Sequence, residues 1–258
     1  MNFETLVPLL AIILIGSYFQ TATGFGLAMI VIGAASGVGL APVATLAAVV
    51  SFVTLTNSVV ALPGKMHHID WSAMRSVALG VMPAIVVGVQ LLDYLSAAAA
   101  DLLQVLLGAT IVLSGIVFAL RPPQLRARSS GWSFFTSGFL AGLFSGLFGM
   151  AGPPVIFQFY RQPLELVAIR NMLILVFACT SGTRTLFVAW QGKLDSEIWT
   201  LTAFAVPLVA LTTLIGRRFP PPFSALTMRR LVFVALMLIG VRLVSTALPA
   251  VLARFVPA

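Results

Sequence analysis

The segment Gly142-Leu-Phe-Ser-Gly-Leu-Phe-Gly-Met-Ala-Gly-Pro-Pro154 carries no charge and a single hydroxyl, yet it cannot form one regular helix. Glycines at 146, 149 and 152 weaken it, and two prolines follow at once. Proline suits the first position of a helix, where its missing N–H has no partner to lose. The pattern therefore predicts one helix ending near Phe148 and a second beginning near Pro153. The stretch lies inside an apolar run, 132–160, that is longer than the ~20 residues needed to cross a hydrocarbon core. A second run, 5–35, has the same build around Gly16-Ser-Tyr-Phe-Gln-Thr-Ala-Thr-Gly-Phe-Gly26.

Outward from these two segments the chain stays apolar. Sixty per cent of the 258 residues are hydrophobic and 9% are charged, with a mean hydropathy of +1.08. A soluble domain carries about 25% charged residues, so the composition predicts an integral membrane protein. The runs are continuous rather than alternating, which points to helices instead of strands. Further segments fall at 41–62, 72–92, 99–120, 164–190, 196–215 and 228–249. The start Met1-Asn2-Phe3-Glu4 lacks the basic region of a signal peptide, so the first segment is expected to stay in the protein. The single cysteine, Cys179, rules out an intramolecular disulfide or a cysteine metal cluster and reads as a small buried hydrophobe. The net charge of +8 is better explained by loop arginines on the cytoplasmic side than by nucleic-acid binding.

A polar linker, Arg121-Pro-Pro-Gln-Leu-Arg-Ala-Arg-Ser-Ser130, sits close to the midpoint and suggests an internal repeat. The outer glycines of the two broken segments align. Further on, Gly64-Lys65 matches Gly192-Lys193 and Trp71 matches Trp199, in the same order.

Loop charges choose between broken spans and hairpins that return to the side they came from. If both broken segments crossed, Arg121, Arg126 and Arg128 would face the side opposite Arg217, Arg218, Arg229 and Arg230, against the positive-inside tendency. If both turn back, Lys65, Arg161 and all seven of those arginines share one side, with only Asp70 and Glu165 as acids. Glu4, Asp93, Asp101, Lys193, Asp195, Glu197 and Arg254 then share the other. The expected fold is thus an all-α polytopic membrane protein of two inverted-topology repeats, each a glycine-broken re-entrant helical hairpin plus three transmembrane helices. Residues 1–120 form the first repeat (re-entrant 5–35; spans 41–62, 72–92 and 99–120). Residues 131–258 form the second (re-entrant 132–160; spans 164–190, 196–215 and 228–249), with 121–130 as linker. The basic side is cytoplasmic and both termini lie outside.

All seven acids fall at or near segment ends, whereas carriers of protons or cations usually keep a carboxylate at mid-membrane. An anion would instead use backbone N–H groups, hydroxyls, amides or an arginine. The start of a half-helix supplies unpaired N–H groups and a favourable dipole. Candidates at the first tip are Gln20, Thr21, Thr23, Gly24 and Gly26. At the second they are Gly149, Gly152 and Pro153, with Gln158 beyond. Tight helix packing would also account for the glycines. Within 164–190, Arg170 and Arg184 share a face, and Arg184 lies in the polar patch Thr180-Ser-Gly-Thr-Arg-Thr185. Asn171 adjoins Arg170, and Thr54-Leu-Thr-Asn57-Ser58 occupies the matching region of the first half, with Asn57 its most interesting amide. Both arginines are near enough to a segment end to snorkel instead. Arg75 and Arg242 read as interface anchors, and His67-His68 as a loop pair. Ser145 between Gly142 and Gly146 superficially resembles a nucleophile turn, but no histidine follows it to act as a base.

The paired motifs Gly24-Phe-Gly-Leu27 and Gly142 to Pro154 resemble those of the TauE/SafE sulfite-exporter family of bacterial membrane permeases. So do Ala44-Thr-Leu46 and Ala168-Ile-Arg-Asn-Met172 at the openings of the next helices, and the Gly-Lys pair of each half. The resemblance covers essentially the whole chain, although Thr-Gly-Phe-Gly-Leu-Ala replaces the family's consecutive glycines at the first tip. It implies efflux of sulfite or a small organosulfonate such as sulfoacetate through the bacterial cytoplasmic membrane, without a cofactor. A passive anion channel is the alternative, and a non-transporting membrane enzyme a more distant one. The partners expected are a small anion and the lipid bilayer; the oligomeric state is left open.

Overall fold

The computed structural model describes residues 3–255 except 65, 67, 68, 121, 122 and 220–224. Lys65, His67, His68 and Arg121 therefore lie outside the described residues. Ten helices and no strand are present among those described. They are α1 Phe3–Thr23, α2 Leu27–Gly37, α3 Val43–Ala61, α4 Trp71–Ala98, α5 Ala100–Leu120, α6 Gly131–Phe148, α7 Gly152–Tyr160, α8 Leu166–Trp190, α9 Ser196–Arg218 and α10 Ala225–Phe255. Seven described helical stretches are long and apolar enough to cross a membrane. Large apolar side chains such as Ile15, Leu79, Leu186 and Leu238 are exposed, as a lipid-facing surface requires. Trp71, Tyr94, Trp132, Trp190 and Trp199 are exposed close to helix ends, where aromatic rings suit the interface. Cys179 is only partly buried.

Both glycine-interrupted runs break into a long helix and a short one. Gly24 and Gly26 adopt φ of 89° and 108°, and Gly149 adopts 69°, a left-handed backbone that side chains disfavour. The break turns the chain back on itself. Phe134, near the start of α6, packs against Phe159, near the end of α7, with centroids 5.7 Å apart. Ser129 donates its N–H to Gln162 Oε1 at 2.9 Å, and Gln162 Nε2 donates to Ser129 Oγ at 2.9 Å, so the two ends of the α6–α7 unit meet. In the first unit a Cβ on Gly16 would stand 3.3 Å from Leu27 Cα and from Val31 Cγ2. Gly16 lies about two turns, ~10 Å, before the end of α1. The chain therefore runs back along α1 before α2 begins.

That geometry places the tips differently from the expected mid-depth turn. α1 and α6 are each long enough to cross by themselves. The parts at mid-height are the starts of the short helices, opposite Thr54 in α3 and Phe177 in α8. α4 and α10 also run past the expected 72–92 and 228–249, because helical hydrogen bonding continues beyond the apolar core of each segment.

The halves are fastened chiefly by α4 against α6 and α5 against α10, with α1 on α9 and α3 against both α8 and α9. The α4–α6 contact is a backbone contact. A Cβ on Gly142 would lie 2.6 Å from Val81 O, and one on Gly146 2.6 Å from Ile85 O. In lipid, where burying apolar surface gives helices no mutual attraction, such close approach carries the association. The linker is tied down by Arg128, whose Nε and Nη2 reach Asp70 Oδ2 and Oδ1 at 2.5 and 3.1 Å and whose guanidinium lies 5.2 Å from the Phe134 ring centre. Asp70 also caps α4 by accepting from Ala73 N at 3.0 Å.

Two outcomes are expected. Gly142→Val should abolish folded protein in detergent size-exclusion profiles, whereas Gly182→Ala, whose Cβ would meet only Leu55 Cδ2 at 3.7 Å, should raise stability by ~0.5–1 kcal/mol. Burial alone would raise the Asp70 pKa, but the Arg128 hydrogen bond, the Ala73 N–H and the Arg128 charge outweigh it and hold the carboxyl below its ordinary value. A lowered folded pKa stabilises above the unfolded value, and the gain disappears as pH falls. The difference in thermal stability between wild type and Asp70→Asn should therefore be constant above about pH 5 and shrink towards pH 3.

Candidate functional site

The starts of α2 and α7 meet at one cavity. Gly26, Ala28 and Met29 line it from the first broken unit and Gly149 to Gly152 from the second, with Thr54 of α3 and Phe177, Thr180 and Ser181 of α8 closing the sides. The cavity is narrow, about 20 Å³. No side-chain cap serves either short helix. Their leading N–H groups are thus left for an occupant. α2 offers the fuller set, because Pro153 and Pro154 at the start of α7 have no N–H to donate. Pro153 sets the helix direction and contributes no hydrogen bond.

The polar lining is unusual for a protein interior. Thr54 Oγ1 is buried with no hydrogen-bond partner, while Thr180 donates to Phe177 O at 3.1 Å. Gln20 reaches the cavity from α1 and donates through Nε2 to Asn57 Oδ1 at 3.1 Å. An unsatisfied buried hydroxyl costs about 1–3 kcal/mol, so Thr54 is a natural donor to a ligand. No basic side chain lines this cavity.

Behind Gln20 lies a fully buried network joining α1, α3 and α9. Asn57 Nδ2 donates to Thr21 Oγ1 and to Thr213 Oγ1, each at 2.8 Å. Thr21 donates in turn to Ser17 O at 2.8 Å, and Ser17 Oγ lies 3.3 Å from Thr213 Oγ1. Asn57 and Thr21 therefore orient Gln20 and do not line the cavity. Thr23 is engaged at the tip itself, with Phe19 O and Phe25 O both 2.9 Å from its hydroxyl.

The remaining expected residues separate. Arg170 donates to Thr21 O at the end of α1, and its side chain covers Gly24, where a Cβ would lie 2.7 Å from Arg170 Cγ. It thus partners a helix end and does not reach the cavity. Asn171 and Gln158 are buried, each with an unpartnered amide nitrogen, but neither lines the cavity. Arg184 lines a second cavity further along α8, and only its Nη1 approaches a partner, Ser51 Oγ at 3.5 Å. Thr54, Thr180 and Ser181 fall within the polar stretches that sequence reading singled out. Thr213 and Ser51 were not singled out, because a hydroxyl in an apolar helix can also bond its own backbone, as Thr213 does to Val209 O and Ser51 to Ala47 O.

Thr213→Val keeps the shape but leaves Asn57 one acceptor short, and should lower stability by ~1–3 kcal/mol. Denaturant or thermal unfolding in detergent would measure it; an unchanged midpoint would remove the network from the account.

Comparison with known proteins agrees with this architecture. The family profile described as Sulfite exporter TauE/SafE matches residues 9–243. The "Probable sulfite/organosulfonate exporter TauE" of Cupriavidus necator is 57% identical over 253 residues, covering 97% of this chain and 99% of that protein. No solved structure matches the chain. A profile match across nearly the whole chain, together with this identity, places the protein in the sulfite exporter TauE/SafE family of membrane transporters.

Proposed function

We propose that the protein is a secondary transporter that exports sulfite or a small organosulfonate across the bacterial cytoplasmic membrane. Its two inverted halves, 1–120 and 131–258, would alternate access to the central cavity, with both termini outside. The observation that carries this reading is the convergence of both glycine breaks, one from each half, on one polar and cation-free cavity. An anion there would be held by the α2 and α7 N-termini, Gln20, Thr54, Thr180 and Ser181, with Arg184 one helical turn beyond Thr180, in the neighbouring cavity. The name of the Cupriavidus relative supports the substrate class.

The repeat is supported by pairings that exchange consistently between the halves. α4 packs on α6 as α9 packs on α1, and α3 packs on α8 as α5 packs on α10. α4 and α9 are each capped by an aspartate, Asp70 or Asp195, and each contains a proline, Pro83 or Pro207. Alternating access is supported by an asymmetry between the two ends. At the basic end Ser58 donates to Ile174 O at 3.2 Å, Tyr18 to Phe219 O at 3.0 Å, and Arg217 to Val60 O. At the acidic end the second cavity, about 110 Å³, lies between α3, α4, α8 and α9.

Efflux of sulfite from proteoliposomes tests the reading. Wild type should accelerate efflux, with the rate changing when a pH gradient is imposed. A passive channel would give a flux indifferent to that gradient. The double variant Thr180→Val with Ser181→Ala should slow efflux about tenfold or more, since hydrogen bonds to charged groups contribute ~1.5–3 kcal/mol each. Normal efflux by this variant would exclude the central cavity as the substrate site.

A further inference from the structure

The two cavities lie on one seam. Along α8, Phe177 and Ser181 face the central cavity, while Arg184 and Val188 continue the same stripe into the second. Along α3, Thr54 faces the central cavity, while Ala48 and Thr45 face the second. Ser51, about one turn from either set, meets Arg184 at 3.5 Å. The Ser51–Arg184 contact thus lies between the two cavities along both helices.

Arg184 has no carboxylate within ion-pair distance there among the described residues. It is 2% exposed, and its Nε has no partner. Among the described residues the salt bridges are Arg128–Asp70 and Lys193–Asp93, and neither involves it. The other charges of the second cavity are already engaged. Lys193 Nζ and Asp93 Oδ2 pair at 2.5 Å across its mouth, and Asp195 accepts from Ile198 N at 2.8 Å as the cap of α9. Asp93 and Asp195 match Lys193 and Arg184 in number, but neither carboxylate touches Arg184, so its buried donors have no anionic partner in contact and an oxyanion there would supply one. A planar guanidinium with free donors matches two oxygens of an oxyanion.

We propose that this second cavity is a distinct anion station for a sulfite or sulfonate group. Arg184 is its cation, and the Asp93–Lys193 pair is its outer closure. An anion leaving the central cavity passes the Ser51–Arg184 contact, pauses on Arg184, and departs when the ion pair opens. The station rests on the central-cavity reading, and at about 110 Å³ it is the roomier of the two cavities.

Calorimetric titration of sulfite into the full chain in nanodiscs, with gluconate as the background anion, tests it. Wild type should bind two sulfites. Arg184→Gln should lose one, its affinity falling at least about tenfold, and Arg184→Lys should recover part of it. Thr180→Val with Ser181→Ala should lose the other. A single site in wild type, or two sites retained in Arg184→Gln, would overturn the station. Should Arg184→Gln fail to fold, Asp93→Asn serves instead: freeing Lys193 should strengthen one site several-fold and leave the other unchanged. Unchanged binding at both sites in Asp93→Asn would equally overturn it. If the Thr180/Ser181 variant binds two sulfites and exports normally, the central-site reading has failed. If that variant loses one sulfite while Arg184→Gln keeps two, only the station has failed.

Discussion

A helix interrupted inside a hydrocarbon layer frees backbone N–H and C=O groups, and no water is at hand to take them. This protein does so twice, and most of its polar chemistry answers the consequences. The carbonyl end of α1 is met by Arg170, which donates to Thr21 O. Thr23 folds over the tip towards Phe19 O and Phe25 O. At the other break, Gly149 N returns to Ser145 O at 2.8 Å. Thr21 O, Gln20 O and Ser145 O thus find partners within the protein. The amide ends of α2 and α7 have no side-chain caps and open on one cavity. On the transporter reading, the donors at the start of α2 suit an anion.

The three buried or half-buried cations and amides that follow do different work. Arg170 is consumed by the α1 terminus, so its face-sharing with Arg184 along α8 does not imply a common role. Asn57 carries no substrate-facing atom; it fastens α1 to α9 through Thr21 and Thr213. A polar network of this kind is stabilising only if every member is satisfied, and Gln20 is its one member that also reaches the cavity.

Much of the fold was legible because its signals are local. Proline after glycine marks where α7 starts, and apolar run lengths mark the spans. The depth of each tip was not legible. An apolar run of about thirty residues fits either two equal arms or a long arm, an extended return and a short helix, and only the contact of Gly16 with Leu27 and Val31 distinguishes them. The candidate site was legible in type but not in assignment. Polar clusters announced themselves, as in Thr180 to Thr185. A hydroxyl such as Thr213 acquires meaning only from a partner 156 positions away. Arg184 stands one helical turn from Thr180, yet that turn carries it from one cavity to the next.

On the alternating-access reading, the packing also indicates which seam moves. α4 and α6 touch backbone to backbone through Gly80, Gly88, Gly138, Gly142 and Gly146, and α5 meets α10 closely at Gly108 and Gly240. Interdigitated backbones have few neighbouring arrangements of similar energy, so these pairs behave as rigid frames. The α3–α8 seam is held differently, by Ser58 to Ile174 O at one end and the longer Ser51–Arg184 contact further along. Both are single hydrogen bonds that a small rotation can exchange for contacts to a ligand or water. Both cavities lie on this seam, and each short helix starts beside it. A rocking motion that opens one end as it closes the other would slide apolar side chains along this seam and exchange its two hydrogen bonds, leaving the glycine frames intact.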